Sequence, residues 1–270
     1  MLSRSIRLLS SSSRAFSTVK NVEAASAAFG DIVSSRVSCR SYKNQDVSDE
    51  VLNRILSLTL SAPTARNWQP YKIVIVKDKV SLEKMSTWMP KKNADVIKQV
   101  PGVAVFLADT EPALMVDDLK GLWKSQGMDE SKVPSFITEF TKTCGKDGMT
   151  KQLAKCGLKQ MSNKTWSMEY YTNREWSIKQ SVFPMEMFVL GCQANGLSSI
   201  VMEGFDGRHV RDLVGFGKRY FVTGLVPFGY AKESEVKPTQ RYPPENMVFD
   251  EKNGVPRKGI VPLKRNWLVC

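Results

Sequence analysis

Four short runs rich in β-branched and aromatic residues, set among helical segments without repeated strand–helix–strand units, constrain this chain of 270 residues most strongly. Tyr71–Lys77 (YKIVIVK) and Val103–Ala108 (VAVFLA) have the length and branching of buried strands. Ser199–Met202 and Phe221–Tyr230 are expected to supply two more. Before the first of the four, Val51, Leu52, Ile55, Leu56 and Thr59 recur at helical spacing. Ser48 is the expected N-cap of that helix, with Asp49 and Glu50 in its first turn, and Pro63 ends it. Ser177–Asn195 reads as a long apolar helix closed by Gly196 in a left-handed cap. Pro184 falls inside this segment and is expected to kink or divide it. This alternation implies an α+β layered domain, and the length suits one sizeable core.

Composition narrows the chemistry. No apolar run approaches the ~18 residues a membrane helix needs, so no membrane insertion is expected. The five cysteines (Cys39, Cys144, Cys156, Cys192 and Cys270) form no CxxC pair, which argues against a disulfide framework and against a zinc or iron–sulfur site. His209 is the only histidine, so a multi-histidine metal site is excluded and no metal is expected. The formal net charge of +12 fits either nucleic-acid binding or a surface tuned to small anions. The basic residues are spread along the chain, without an aromatic RNA-binding signature or zinc-finger spacing. That distribution favours a solvated basic surface and no nucleic-acid partner.

Residues 1–20 carry Arg4, Arg7, Arg14 and Lys20, dense serines and no acid, the pattern of an organellar transit peptide. Arg14-Ala15-Phe16-Ser17 has the form of a matrix-processing site, and the expected destination is the mitochondrial matrix, with a plastid the alternative. Residues 111–176 are charged, poor in β-branched runs and dotted with aromatic residues such as Trp123 and Trp176. They read as a helical lid-like excursion from a single domain spanning 21–250. After Lys232 a polar, Pro-rich arm is expected, and 251–270 is a C-terminal extension without a functional reading.

Four separated segments carry candidate chemistry. In Arg36-Val37-Ser38-Cys39-Arg40 an extended backbone would turn two guanidinium groups and a hydroxyl to one side, a clamp for phosphate or carboxylate. Ala62–Pro70 (APTARNWQP) is a rigid polar turn whose amides suit a flat heterocycle. Glu203-Gly204-Phe205-Asp206-Gly207 follows a strand and precedes a helix, and its glycines permit close approach of backbone to ligand. Lys237-Pro238-Thr239-Gln240-Arg241 is a late basic loop. Taken singly, each could equally be an exposed arginine pair, a plain connection, a tight turn or a solvated charge cluster. Gly215-Phe216-Gly217 lacks the further glycines of a dinucleotide fingerprint.

In this order, with Glu175–Gln180 (EWSIKQ) leading into a long helix, the segments resemble the FMN-dependent nitroreductase family from about Phe29 to about Val248. The likeness is nearest to its oxygen-insensitive, dihydropteridine-reductase-like branch. The resemblance implies a nitroreductase-like fold with a mainly antiparallel central sheet flanked by helices, built as an intertwined homodimer with FMN at the subunit interface. It further implies that Arg36, Val37, Ser38, Cys39 and Arg40 hold the flavin phosphate and pyrimidine ends. Arg40 would stand near N1 and O2, where a cation stabilises negative charge on reduced flavin. Thr64 and Asn67 would reach the flavin from the partner subunit, Asn93 its pyrimidine edge, Gln180 the ribityl chain and Arg241 the phosphate. Glu203 and Gly204 would sit at the flavin, the Gly204 amide aimed at N5. The chain departs from the branch at Thr239, where a lysine is usual and which Lys237 could replace, and at Pro184.

The activity implied is hydride transfer from NAD(P)H through FMN to a small aromatic acceptor (a nitroaromatic, quinone or pteridine) by a ping-pong scheme with no catalytic side chain of the protein. Dehalogenation or flavin cleavage remains open as another reaction on the same flavin, and a non-enzymatic nucleic-acid-binding protein remains the rival from another class.

Overall fold

The computed structural model describes residues 19–125, 127, 129–135, 172–232 and 241–263. The transit segment, the Lys237–Thr239 question and most of the 111–176 excursion therefore lie outside the described residues. Among the described residues, four strands form one antiparallel sheet in the order β1 (Tyr71–Val76), β2 (Gly102–Asp109), β4 (Tyr220–Gly229), β3 (Ser198–Ser199). The helices are α1 (Val22–Ser35), α2 (Asp49–Thr59), α3 (Lys79–Ser86), α4 (Lys91–Ile97), α5 (Val116–Ser125), α6 (Asn173–Ala194) and α7 (Gly207–Leu213).

Strand β2 explains the layering. All eight of its residues are buried, because both faces are covered, and its alternate side chains feed two different cores. Val103, Val105 and Leu107 pack with Leu82 and Met85 of α3, Val96 and Ile97 of α4, and Val210 of α7. Ala104 and Phe106 pack with Leu52 and Ile55 of α2 and with Met185, Phe188, Val189 and Cys192 of α6. The result is a helix–sheet–helix sandwich, the α+β architecture expected. A third, smaller cluster joins Trp68 to Leu119 and Trp123 of α5, so that Trp123 is core packing.

Local chemistry sets the helix ends. The Ser48 side chain caps α2 by accepting from the Val51 N–H at 3.3 Å. Helix α6 begins four residues before the expected Ser177, because Thr172 and Glu175 form a reciprocal capping box with bonds of 3.2 and 2.8 Å. It ends at Asn195 and Gly196, the latter left-handed at φ 74° as expected. Pro184 does not divide the helix. The proline removes one backbone donor, but Ser181 before it hydrogen-bonds Thr223 of β4 at 2.8 Å and Met185 and Phe188 after it are buried against the sheet, which holds the turn in place.

The expected strand Ser199–Met202 is only partly realised. The β3–β4 ladder covers Ser198 and Ser199, lapses at Ile200, and resumes as a single bridge between Met202 and Leu225. The cause lies on the partner strand. Pro227 accepts from the Ile200 N–H at 3.3 Å but has no N–H to return. This early end of β3 releases the chain into the Glu203–Gly207 loop.

Candidate functional site

Segment 36–40 runs parallel to the outer edge of β3. Ser38 bridges Ser199, and the Cys39 N–H donates to the Ser199 carbonyl at 3.2 Å. Its alternation follows directly: Val37 and Cys39 are buried, Ser38 and Arg40 are exposed, and Arg36 is half-buried. The alternation read from i, i+2, i+4 spacing is therefore present, leaving Arg36, Ser38 and Arg40 on the more exposed side. Val37 and Cys39 can serve a ligand only through their main chain, because their side chains belong to the core. Tyr42 anchors the segment, its hydroxyl donating to the Cys39 carbonyl at 3.0 Å, and burial pushes that phenol far above its ordinary range.

No more than about 18 Å of chain separates Ser199, beside this segment, from Gly204. Glu203 and Gly204 are exposed. The carbonyls of Glu203 and Gly204 are occupied: Asn93 donates its Nδ2 to the Gly204 carbonyl at 3.1 Å, and Phe205 donates to that of Glu203 at 3.1 Å. Among the described residues the Gly204 N–H has no intramolecular acceptor, so it is presented to the exterior. A side chain at 204 would meet Asn93 Nδ2 at 3.1 Å, so the glycine lets backbone and Asn93 lie together. Asn93, expected at a ligand edge, thus also acts as a brace for the glycine. Asp206 caps α7 by accepting from the Arg208 N–H at 2.9 Å and lies 3.0 Å from His209 Nδ1. These bonds, the His209 contact foremost, hold its carboxylate down at about 2.

A second set of expected residues is joined by contacts of its own. Gln180, buried on α6, accepts from the Ala65 N–H at 2.7 Å, and Thr64 Oγ1 accepts from the Gln69 N–H at 3.0 Å. Arg66, Asn67 and Gln69 all have left-handed φ, at 53°, 55° and 51°. Such backbone costs about 1 kcal/mol or more per residue and is characteristic of ligand clamps. Trp68 holds it: the residue is fully buried, its indole donates to the Pro112 carbonyl at 3.1 Å, and its ring meets Trp123 edge-on. Gln180 is thereby tied to the turn that carries Thr64 and Asn67. Arg241 is exposed at the start of the C-terminal arm.

Trp88 and His209 are not among the expected site residues, and Asp206 enters only as part of the Glu203–Gly207 segment, yet the three close on one another beside Gly204. Asp206 as N-cap was legible before a helix; the stacking of Trp88 on His209 had no local signal.

A sequence profile described as the nitroreductase family matches residues 33–230. The chain belongs to the nitroreductase family. An NADH dehydrogenase of Thermus thermophilus is 28% identical over 214 residues, covering 79% of this chain and 91% of its own. An iodotyrosine deiodinase of Hydra vulgaris is 26% identical over 224 residues, covering 80% of this chain and 70% of its own. A nitroreductase of Exiguobacterium sibiricum solved in complex with FMN superposes with a TM-score of 0.62 at 18% identity, covering 83% of this chain and 97% of that one. These likenesses accord with the layered antiparallel architecture. Among the described residues no helix is long and apolar enough to cross a membrane, and no group of three or more His, Cys, Asp and Glu could hold a metal.

Proposed function

We propose that this family member binds FMN and passes a hydride from NAD(P)H to a flat, electron-poor acceptor such as a nitroaromatic, quinone or pteridine, by a ping-pong scheme. The observation that carries the reading is Gly204, exposed and with no intramolecular acceptor for its N–H among the described residues, braced from behind and following the edge strand beside which Arg36, Ser38 and Arg40 lie. The donor set fits the group. Two guanidinium groups and a hydroxyl suit a phosphate or a pyrimidine carbonyl, and an unengaged amide suits a ring nitrogen. FMN, when bound, supplies the hydride-accepting and hydride-donating centre. Arg36 and Ser38 would hold the phosphate end, with Arg241 the third cation. Arg40 would place positive charge where negative charge develops on reduction, and Gly204 would donate its N–H to the ring. The activities of the relatives, one an NADH dehydrogenase, support a nicotinamide donor.

A homodimer is part of the proposal. The Thr64–Asn67 group would complete a partner's site, and the packed helices α1 and α6 leave Phe29 57% and Phe183 45% exposed, apolar area that a second copy would cover. Residues 1–20 would direct the chain to mitochondria, and residues 21–250 would form the single FMN domain with 111–176 as its lid. The test is the visible spectrum of the purified full chain, before and after NADH or NADPH without oxygen. A yellow protein whose band bleaches is expected; a colourless protein that takes up no added FMN would refute the reading. Recovery of the band on adding iodotyrosine, but not nitroaromatics or quinones, would favour the dehalogenating reaction of the Hydra relative. Light scattering reads the dimer, and imaging of the tagged full chain reads its destination.

A further inference from the structure

The Glu203–Asp206 turn poses a mechanical problem. It is exposed, contains a glycine and has no side chain of its own in the core until Phe205, which is only half-buried. Upstream it is held by the Met202–Leu225 bridge, with bonds of 2.8 and 3.0 Å. Downstream it leads into α7, whose Val210 is fixed in the core, and the turn itself is tied by a closed set of contacts to the α3–α4 connection. The Asp206 N–H donates to the Trp88 carbonyl at 2.8 Å. The Asp206 carboxylate lies 3.0 Å from His209 Nδ1. The His209 ring in turn stacks on the Trp88 indole, centroids 5.0 Å apart and planes at 21°. Trp88 rests on the core beneath β2, so the ring of contacts ends on something rigid. Asn93, five residues on, adds the bond to the Gly204 carbonyl.

We infer that Trp88 and His209, acting through Asp206, are positioning residues that clamp the Glu203–Gly204 turn from its outer side and so set how tightly the flavin site holds its ligand and at what potential. The inference rests on the FMN reading above. None of the three side chains needs to touch the ligand. Their effect runs through the direction of one peptide N–H, whose bond to the ring strengthens as negative charge grows there; loosening it weakens the reduced form more than the oxidised form. Phe at 209 keeps the stack and loses the bond to Asp206, whereas Asn keeps a donor and loses the stack, so the two halves of the clamp are separable.

The test uses the full chain and its variants Trp88→Leu, Trp88→Phe, His209→Phe and His209→Asn, with three readouts: FMN dissociation constant, midpoint potential of the bound flavin, and amide hydrogen exchange of the 202–206 segment without flavin. Trp88→Leu is expected to weaken FMN about tenfold, the size of one ring pair plus its tethered bond. The reduced form should lose about tenfold more than the oxidised form, so the midpoint should drop by about 30 mV, since a tenfold difference between the two corresponds to that shift for a two-electron couple. Trp88→Phe should restore most of both, and the two His209 variants should fall between. Exchange at 202–206 should rise in the same order. A residue that merely supports the fold would lower stability and leave the potential of bound flavin unchanged. Wild-type affinity and potential in Trp88→Leu, or faster exchange without either change, would overturn the inference. Should the wild-type chain take up no FMN, the flavin reading fails on that result, and the exchange data then show separately whether the clamp exists.

Discussion

The 64–70 turn and the 203–206 turn both present main-chain polar groups, and the molecule holds them in opposite ways. The first is strained and bolted to the interior: Trp68 is fully buried, Gln180 reaches out of α6, and three non-glycine residues sit in left-handed backbone. The second is relaxed and held from outside, by a glycine, one amide and a stacked ring pair at the surface. A strained turn needs the fold to over-determine it, so damage to its anchors appears as lost stability. An unstrained turn needs only direction, so damage to its tethers should appear in ligand binding with little loss of stability.

Trp68→Ala should give the largest effect that separates the two. Deleting a fully buried indole, its bond to Pro112 and its contact with Trp123 should cost about 3–5 kcal/mol in urea unfolding. Trp88→Leu, at a half-exposed stack, should cost about 1 kcal/mol or less. Equal losses would abolish the distinction.

Asp109 comes next. It is fully buried, its backbone N–H donates to the Pro70 carbonyl at 2.9 Å, and its carboxylate accepts from Glu111 N and from both Nε and Nη2 of Arg219. The carboxylate raises the guanidinium of Arg219 above its already high ordinary value. Asp109→Asn should cost about 2–3 kcal/mol, tempered by the partial exposure of Arg219. It should also loosen residues 64–70 in amide exchange while leaving 203–206 as protected as before.

Gln180→Leu is a finer probe. It leaves the Ala65 N–H without its acceptor, but Ala65 is exposed and water can serve it, so about 1 kcal/mol of stability is the expected loss. If the strained turn serves a partner's site, the same change should lower kcat/KM several-fold, on the order of the binding contribution of one hydrogen bond.

What could be read in advance was whatever depends on neighbours in sequence. The Ser48 cap, the left-handed Gly196 and the one-sided face of Arg36, Ser38 and Arg40 follow from local geometry. What escaped depends on distant partners. The short β3 is decided by Pro227 on another strand, the persistence of α6 through Pro184 by its packing, and the Trp88–His209 stack by the approach of two connections remote in sequence. The early start of α6 was local and was missed because the Thr172–Glu175 box lies before the apolar run begins. The bond of Gln180 to the Ala65 N–H also depends on residues distant in sequence and had no local signal.

Acid gives the smallest and most selective contrast. The 64–70 turn contains no carboxylate, whereas the 203–206 turn ends on Asp206. The bonds from His209 and Arg208 hold that carboxyl at about 2, below its ordinary 3.8. A depressed value means that the folded state prefers the ionised form. The stabilisation is therefore complete above about pH 4 and is lost as pH falls from there through 2. Amide exchange at 203–206, corrected for its intrinsic pH dependence, should stay level from neutrality down to about pH 4 and then rise, while 64–70 stays flat until the whole domain unfolds. Asp206→Asn keeps an N-cap and discards the charge, so it should remove the acid step from 203–206 without unfolding α7. If the step survives in that variant, the carboxylate is not what ties the outer clamp together, and the turn would have to be held by the Asp206 N–H and Asn93 alone.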